Sequence, residues 1–186
     1  MSNAPSSLAP AVLGSLDFES RIPITLIIDG PSGAGKTTLA CDLRDAWPTA
    51  RTLEVVHLDD IYPGWLGLQS ASEFIARVLD EERPSRRDFE YHVWDWALEK
   101  YGTKRRVSGG ADVIIEGCGA LTQASAGACS LSVWVDADDA LRKTRALSRS
   151  DEDFEEHWDE WDEQFREFIR RENPQAHASL TIAATR

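Results

Sequence analysis

The sequence predicts an α/β fold, a three-layer sandwich with a central parallel sheet between two layers of helices. Short, apolar, β-branched runs recur along the chain, bounded by turn residues. Longer stretches of helical composition separate them, as the crossovers between parallel strands require. Four of the runs end directly in acids, at Asp29, Asp59-Asp60, Glu116 and Asp136. The carboxyl edge of an open α/β sheet is where ligands bind, so these acids sit where chemistry is expected.

The elements follow in order. Ile22 to Ile28 is a buried parallel strand, because its β-branched run is almost unbroken. Residues 36 to 46 are helical, and Pro48 stops them. Leu53 to Leu58 is the second strand. Residues 61 to 68, IYPGWLGL, form a loop punctuated by Gly and Pro. Ser72 to Glu82 is a helix with Phe74, Ile75, Val78 and Leu79 on one side. Arg83 to Asp88 is a basic loop, and residues 90 to 101 are expected to be partly helical. Asp112 to Ile115 and Leu131 to Val135 are the third and fourth strands. A basic helix over 138 to 149 and an acidic one over 151 to 171 follow, and Leu180 to Ala183 is an edge strand. Phe154, Trp158, Trp161, Phe165 and Phe168 repeat at helical spacing and read as a core face, with the intervening acids solvated.

At 186 residues, with 42% hydrophobic and 28% charged residues, the chain suits one soluble domain with a full core. Residues 1 to 15, rich in Ser, Ala and Pro, read as a loose tail, and residues 16 to 186 as the single domain. The formal net charge of -12 excludes the basic footprint of a nucleic-acid binder. No apolar stretch reaches the roughly 20 residues of a membrane helix, and the N-terminus is not a secretory signal. Cys41, Cys118 and Cys129 show neither metal nor disulfide spacing, which points to small packing residues in a reducing cytoplasm. The four histidines show no metal spacing either.

The most informative stretch is Gly30-Pro31-Ser32-Gly33-Ala34-Gly35-Lys36-Thr37-Thr38. It meets every fixed position of G-x-x-x-x-G-K-[ST], with a strand before it and a helix after it. Glycines let the backbone close on a ligand without side chains in the way. Successive N–H groups then cradle phosphate oxygens, and the helix start adds its positive dipole end. Lys36 is the expected partner of β- and γ-phosphates, and Thr37 the expected Mg²⁺ ligand. A tight turn with a solvent lysine would not need all these residues together. The expected ligands are therefore ATP and Mg²⁺, although a phosphate loop does not distinguish ATP from GTP. The Asn-Lys-x-Asp guanine reader of switch GTPases and the Leu-Ser-Gly-Gly-Gln signature of transport ATPases are absent, leaving a small-molecule kinase as the expectation.

GPSGAGKTT, then HLDDIY after the second strand and VIIEG after the third, resembles the uridine kinase and phosphoribulokinase group. The likeness is closest to small bacterial uridine kinase-like ATP-binding proteins, on Asp59-Asp60-Ile61-Tyr62-Pro63-Gly64-Trp65, Trp94-Asp95-Trp96 and the spaced Arg142, Arg145 and Arg149. It runs from about residue 22 to residue 183. It implies a five-stranded sheet in the order 2-3-1-4-5 and phosphoryl transfer from ATP to a small-molecule hydroxyl, with a nucleoside as the favoured acceptor. The chain is shorter than true uridine kinases and is expected to lack their extra nucleoside-gripping β-hairpin.

The resemblance also implies roles. Asp59 matches the base that takes the acceptor's proton, and chemistry wants a carboxylate there. Asp60 is the alternative base or a metal-water ligand. Glu116 matches the acid that holds Mg²⁺ through water. Arg142, Arg145 and Arg149 share one helix face and match a lid that places arginines on the transferring phosphate, unless Asp138 simply pairs with Arg142. Tyr62, Trp65, Arg87, Trp94 and Asp95 are the candidate acceptor contacts. Another metabolite as acceptor (a sugar phosphate, or pantothenate) and a non-catalytic ATP-binding module remain open, as does the oligomeric state.

Overall fold

The computed structural model describes residues 8–149 and 152–183. The elements are α1 (Ala9–Leu13), β1 (Thr25–Asp29), α2 (Lys36–Ala46), β2 (Leu53–His57), a 3₁₀ turn (Leu58–Asp60), α3 (Leu68–Glu81), β3 (Phe89–Asp95) and β4 (Lys100–Val107). There follow β5 (Asp112–Glu116), α4 (Gln123–Ala128), β6 (Leu131–Asp136), α5 (Asp139–Arg149), α6 (Glu152–Glu172), α7 (Pro174–His177) and β7 (Leu180–Ala183).

The main sheet has the order β2-β5-β1-β6-β7, and every pairing in it is parallel. Counted without β3 and β4, which form a separate hairpin, this is the expected 2-3-1-4-5. Side chains alternate across the sheet with the strand period of two. Ile27, Val56, Val113 and Ile115 face a core shared with α3, α6 and the hairpin. Leu26, Ile28, Ile114 and Val133 face a second core shared with α1 and α2. Both faces of the sheet are covered, which is why β1 and β5 are buried at all five positions.

Three expectations need correction. The segment read as tail is ordered in part, because Ala9 and Val12 of α1 are buried in the second core; residues 1–7 lie outside the described residues. Helix α3 starts at Leu68, earlier than expected, and buries Leu68 and Ala71 as well. Residues 90 to 101 are not helical, and the β-hairpin thought to lack room is present. Phe89 and Tyr91 of β3 point into the core, with Glu90 and His92 exposed between them, while β4 is exposed everywhere except Val107. Cross-strand ion pairs join Lys104 to Glu90 and Arg106 to Asp88. An isolated two-stranded ribbon is marginal in water, so the three core contacts hold it in place.

Asp112 staples the amino edge of the sheet. Its carboxylate accepts from Ile24 N–H (2.8 Å), from Trp47 Nε1 (3.0 Å) and from Arg51 Nε (2.6 Å). Arg51 also donates to the carbonyls of Phe18, Ser20 and Ile22, fixing the chain that enters β1. Removing one partner of a buried pair leaves the other charge uncompensated. Asp112→Ala should therefore lower unfolding stability by about 3 kcal/mol in denaturant titration. Nucleotide affinity should be unchanged, because the phosphate loop lies at the other edge.

Candidate active site

The phosphate loop joins β1 to α2. Gly30, Gly33 and Gly35 all have positive φ, at 148°, 80° and 100°. A Cβ on Gly30 would lie 2.1 Å from the Val135 carbonyl oxygen, and one on Gly33 would lie 2.0 Å from that of Arg142. Glycine is therefore demanded both by the conformation and by the neighbouring β6 and α5. Gly35 caps α2 without any side-chain acceptor, and no acid occupies the first turn. The free N–H groups of that turn and the positive helix end thus fit an anion, and phosphate is the anion the loop matches. Lys36 is buried and turned back along the loop, donating to the carbonyls of Gly30 (2.8 Å) and Pro31 (3.0 Å). Pro31 and Ala34 are packed inside the loop, and Thr38 is exposed beside Thr37.

At the ends of β5 and β2, Glu116 meets two donors on one oxygen. Thr37 Oγ1 donates to Oε1 at 3.0 Å, and His57 Nδ1 lies 2.6 Å from the same atom. That hydrogen bond raises the His57 pKa above its ordinary value. Mg²⁺ keeps several waters and is usually held by one or two carboxylates together with substrate phosphates. Glu116 and the Thr37 hydroxyl, side by side at the lip of the loop, fit such an ion.

Asp29 ends β1 entirely buried and ties the loop to the β5–α4 connection. It accepts from the N–H groups of Gly30 (2.6 Å), Gly119 (3.1 Å) and Leu121 (2.8 Å). Burial pushes its pKa up to about 7, against these donors and the nearby Lys36 charge.

A cavity of about 540 Å³ opens from the loop. Ser32, Gly33, Gly35, Lys36 and Thr37 of the loop line it, together with Glu116, Gly117 and Cys118 after β5 and with Asp59, Tyr62, Trp65, Trp96, Phe154 and Trp161. Asp59 lines the cavity with its side chain exposed. The protein crowded around it, with the Glu116 charge, raises its pKa. Tyr62 is buried, and its hydroxyl donates to the Cys118 carbonyl (2.8 Å). Trp161 Nε1 donates to Ser32 Oγ (2.9 Å) and its ring meets Tyr62 edge-on, so α6 touches the phosphate loop directly.

Other expected residues fall elsewhere. Asp60 is absent from the cavity lining and pairs with Arg105 of the hairpin at 3.1 Å. Arg87 pairs with Glu82. It lies at the amino edge of the sheet, where neighbouring Arg83 donates to Thr25 Oγ1 and the Ala111 carbonyl. Trp94 packs edge-on against Tyr101, and Asp95 accepts from Leu98 N–H within the hairpin. The tryptophan that reaches the cavity is Trp96, whose Nε1 donates to the Asp59 carbonyl at 2.9 Å. A bulge between His92 and Trp94 shifts the strand register, a feature the sequence did not announce. Arg142 is buried in ion pairs with Asp139 (2.7 Å) and Asp162 (2.8 Å), so acids other than Asp138 hold it. Arg145 is half-buried next to Ala146 of the cavity lining, and the Arg149 side chain lies outside the described residues. Sequence reasoning missed Cys118, Trp161 and His57, read as packing or unassigned residues.

The structure is similar over nearly its whole length to two solved structures. One is described as a possible uridine kinase from Bacillus stearothermophilus (TM-score 0.62, 18% identity, 94% of this chain and 95% of that one). The other is a protein provisionally named a fructose transport system kinase from Silicibacter sp. TM1040 (TM-score 0.58, 18% identity, 97% and 99%). The chain shares the fold of these two structures. No protein-family model matches the sequence, and no curated protein is significantly similar to it. Among the described residues no helix is long and apolar enough to cross a membrane.

The raised Asp29 pKa has a signed consequence. From about pH 4 to about pH 7 the folded state holds a proton that the unfolded chain has released. Stability should therefore fall as pH rises through that window. In Asp29→Asn this contribution is gone, so the wild type should lose stability relative to the variant as pH rises. A stability difference independent of pH would contradict a proton on Asp29.

Proposed function

We propose that this protein transfers the γ-phosphoryl group of ATP to a hydroxyl of a small molecule, with a nucleoside as the acceptor. One observation carries the reading. A phosphate cradle with its lysine and an acid amid aromatic side chains line one and the same cavity. Among the described residues lining it, Lys36 is the one cationic side chain, and it belongs to the phosphate loop. A second anionic group, as on a sugar phosphate or pantothenate, would meet the acids Asp59 and Glu116 and compete with the nucleotide phosphates for that one cation. An uncharged acceptor with an apolar or planar body suits the aromatic lining better.

The residues then divide the work. The loop N–H groups and the start of α2 hold the phosphates, and Lys36 exchanges its carbonyl partners for phosphate oxygens. Glu116 and Thr37 would hold Mg²⁺, which supplies charge neutralisation between the β- and γ-phosphates when bound. Tyr62, Trp65, Trp96, Phe154 and Trp161 exclude water and orient the acceptor. Asp59 takes the hydroxyl proton as the oxygen bonds to phosphorus and the bond to the bridging oxygen breaks, leaving ADP. Its raised pKa suits a group that must accept a proton. Arg145, next to the cavity-lining Ala146, is the arginine we assign to the transferring phosphate, while Arg142 is held by its acids. The free state of all three cysteines fits a cytoplasmic setting.

A panel of nucleosides incubated with Mg-ATP, followed by ADP release, tests the reading. Asp59→Asn should lower turnover about 10²–10⁴-fold with ATP affinity nearly unchanged. ATP binding without transfer to any acceptor would leave a non-catalytic ATP-binding module instead.

A further inference from the structure

We infer that His57 is a positioning residue for Glu116, and that it governs how readily the phosphate site takes up a divalent cation. The inference rests on the reading of Glu116 as the metal-facing acid.

His57 is the last residue of β2 and stands opposite Glu116 in the parallel register, where β5 runs between β1 and β2. Its Nδ1 lies 2.6 Å from Glu116 Oε1. A carboxylate oxygen only accepts, so Nδ1 carries the hydrogen, and the imidazole is the donor whether neutral or charged. Thr37 Oγ1 donates to the same oxygen. Among the described residues Oε2 accepts no hydrogen bond, while Glu116 itself lines the cavity. One oxygen is thus gripped by two donors, and the other is left for the site.

The neighbourhood explains why such a grip is needed. Glu116 is only 3% exposed, and a buried carboxylate seeks charge compensation. Lys36 is close enough for the two charges to act on each other, yet it donates to Gly30 and Pro31 rather than to Glu116. A direct Lys36–Glu116 pair would occupy both groups that a metal-bound triphosphate requires. His57 supplies the alternative partner and approaches from the β2 side, away from the loop. Partners of this kind, which orient a ligating side chain without touching the metal, typically change metal affinity 10–100-fold when removed.

The test measures binding rather than turnover. A non-hydrolysable ATP analogue is titrated into the protein, without metal and over a series of Mg²⁺ concentrations, for wild type, His57→Ala, His57→Asn and Glu116→Gln. His57→Ala should raise the Mg²⁺ concentration for half-maximal enhancement of binding by about 10-fold or more. Its metal-free affinity should match wild type. His57→Asn, whose side-chain amide keeps a donor near Nδ1, should recover part of the loss. Two results overturn the inference alone, provided Glu116→Gln still disturbs the metal dependence. One is an unchanged Mg²⁺ dependence in His57→Ala, and the other is an equal loss of affinity with and without metal, the mark of a merely structural role. If Glu116→Gln also leaves the metal dependence unchanged, the metal-facing acid is another group, and the inference falls with that assignment.

Discussion

Parallel register is the constraint on which the rest of this molecule depends. Because every strand of the main sheet runs the same way, all their carboxyl ends share one edge. Glu116 stands level with Ile28 on one side and His57 on the other. The phosphate loop begins directly after Asp29, and Asp59 lies in the 3₁₀ turn that follows β2. The phosphate loop, Glu116 and Asp59, far apart in sequence, are thereby brought to one cavity. No long-range charge pairing is needed to assemble them; the apolar cores on both faces of the sheet do that.

The polar groups at that edge have a narrower task, which is to fix conformations. Asp29 spends its carboxylate on three backbone N–H groups and so joins the phosphate loop to the Gly117–Leu121 segment. Buried carboxylates of this sort are costly unless satisfied, so the geometry around Asp29 tolerates little change. Trp161 adds a second tie, from the far helix α6 to Ser32. Gln164 of the same helix donates to the Trp65 carbonyl, at 2.8 Å, and holds the acceptor-side loop. One helix therefore ties the loop before α2 to the segment that carries Trp65.

Much of this was legible in the sequence, and the exceptions have physical causes. The strands and α2 were readable because buried parallel strands are continuous apolar runs and the phosphate loop has a demanding composition. The hairpin was not. Its outer strand, Lys100–Val107, is held by ion pairs and one buried valine, so it carries no alternation to read. Trp96, in the hairpin turn just past the end of β3, lines the cavity, and Trp94 does not. Asp59 and Asp60 are adjacent and chemically identical, and only the tertiary fold separates them, turning Asp59 to the cavity and Asp60 to Arg105. Trp161 read correctly as core, yet a helix face wide enough to fill a core also reached the ligand cavity. His57 had no signal of its own, since its partner lies 59 residues away.

The central claim is that the loop before α2 grips a triphosphate through Lys36 and the free N–H groups of the first turn. Titration calorimetry of Mg-ATP into wild type and Lys36→Ala tests it most directly. A charge-assisted contact is worth about 1.5–3 kcal/mol, so the variant should bind roughly 10–100-fold more weakly while unfolding like the wild type. Equal affinity in the two proteins, or no binding by the wild type, would contradict the account.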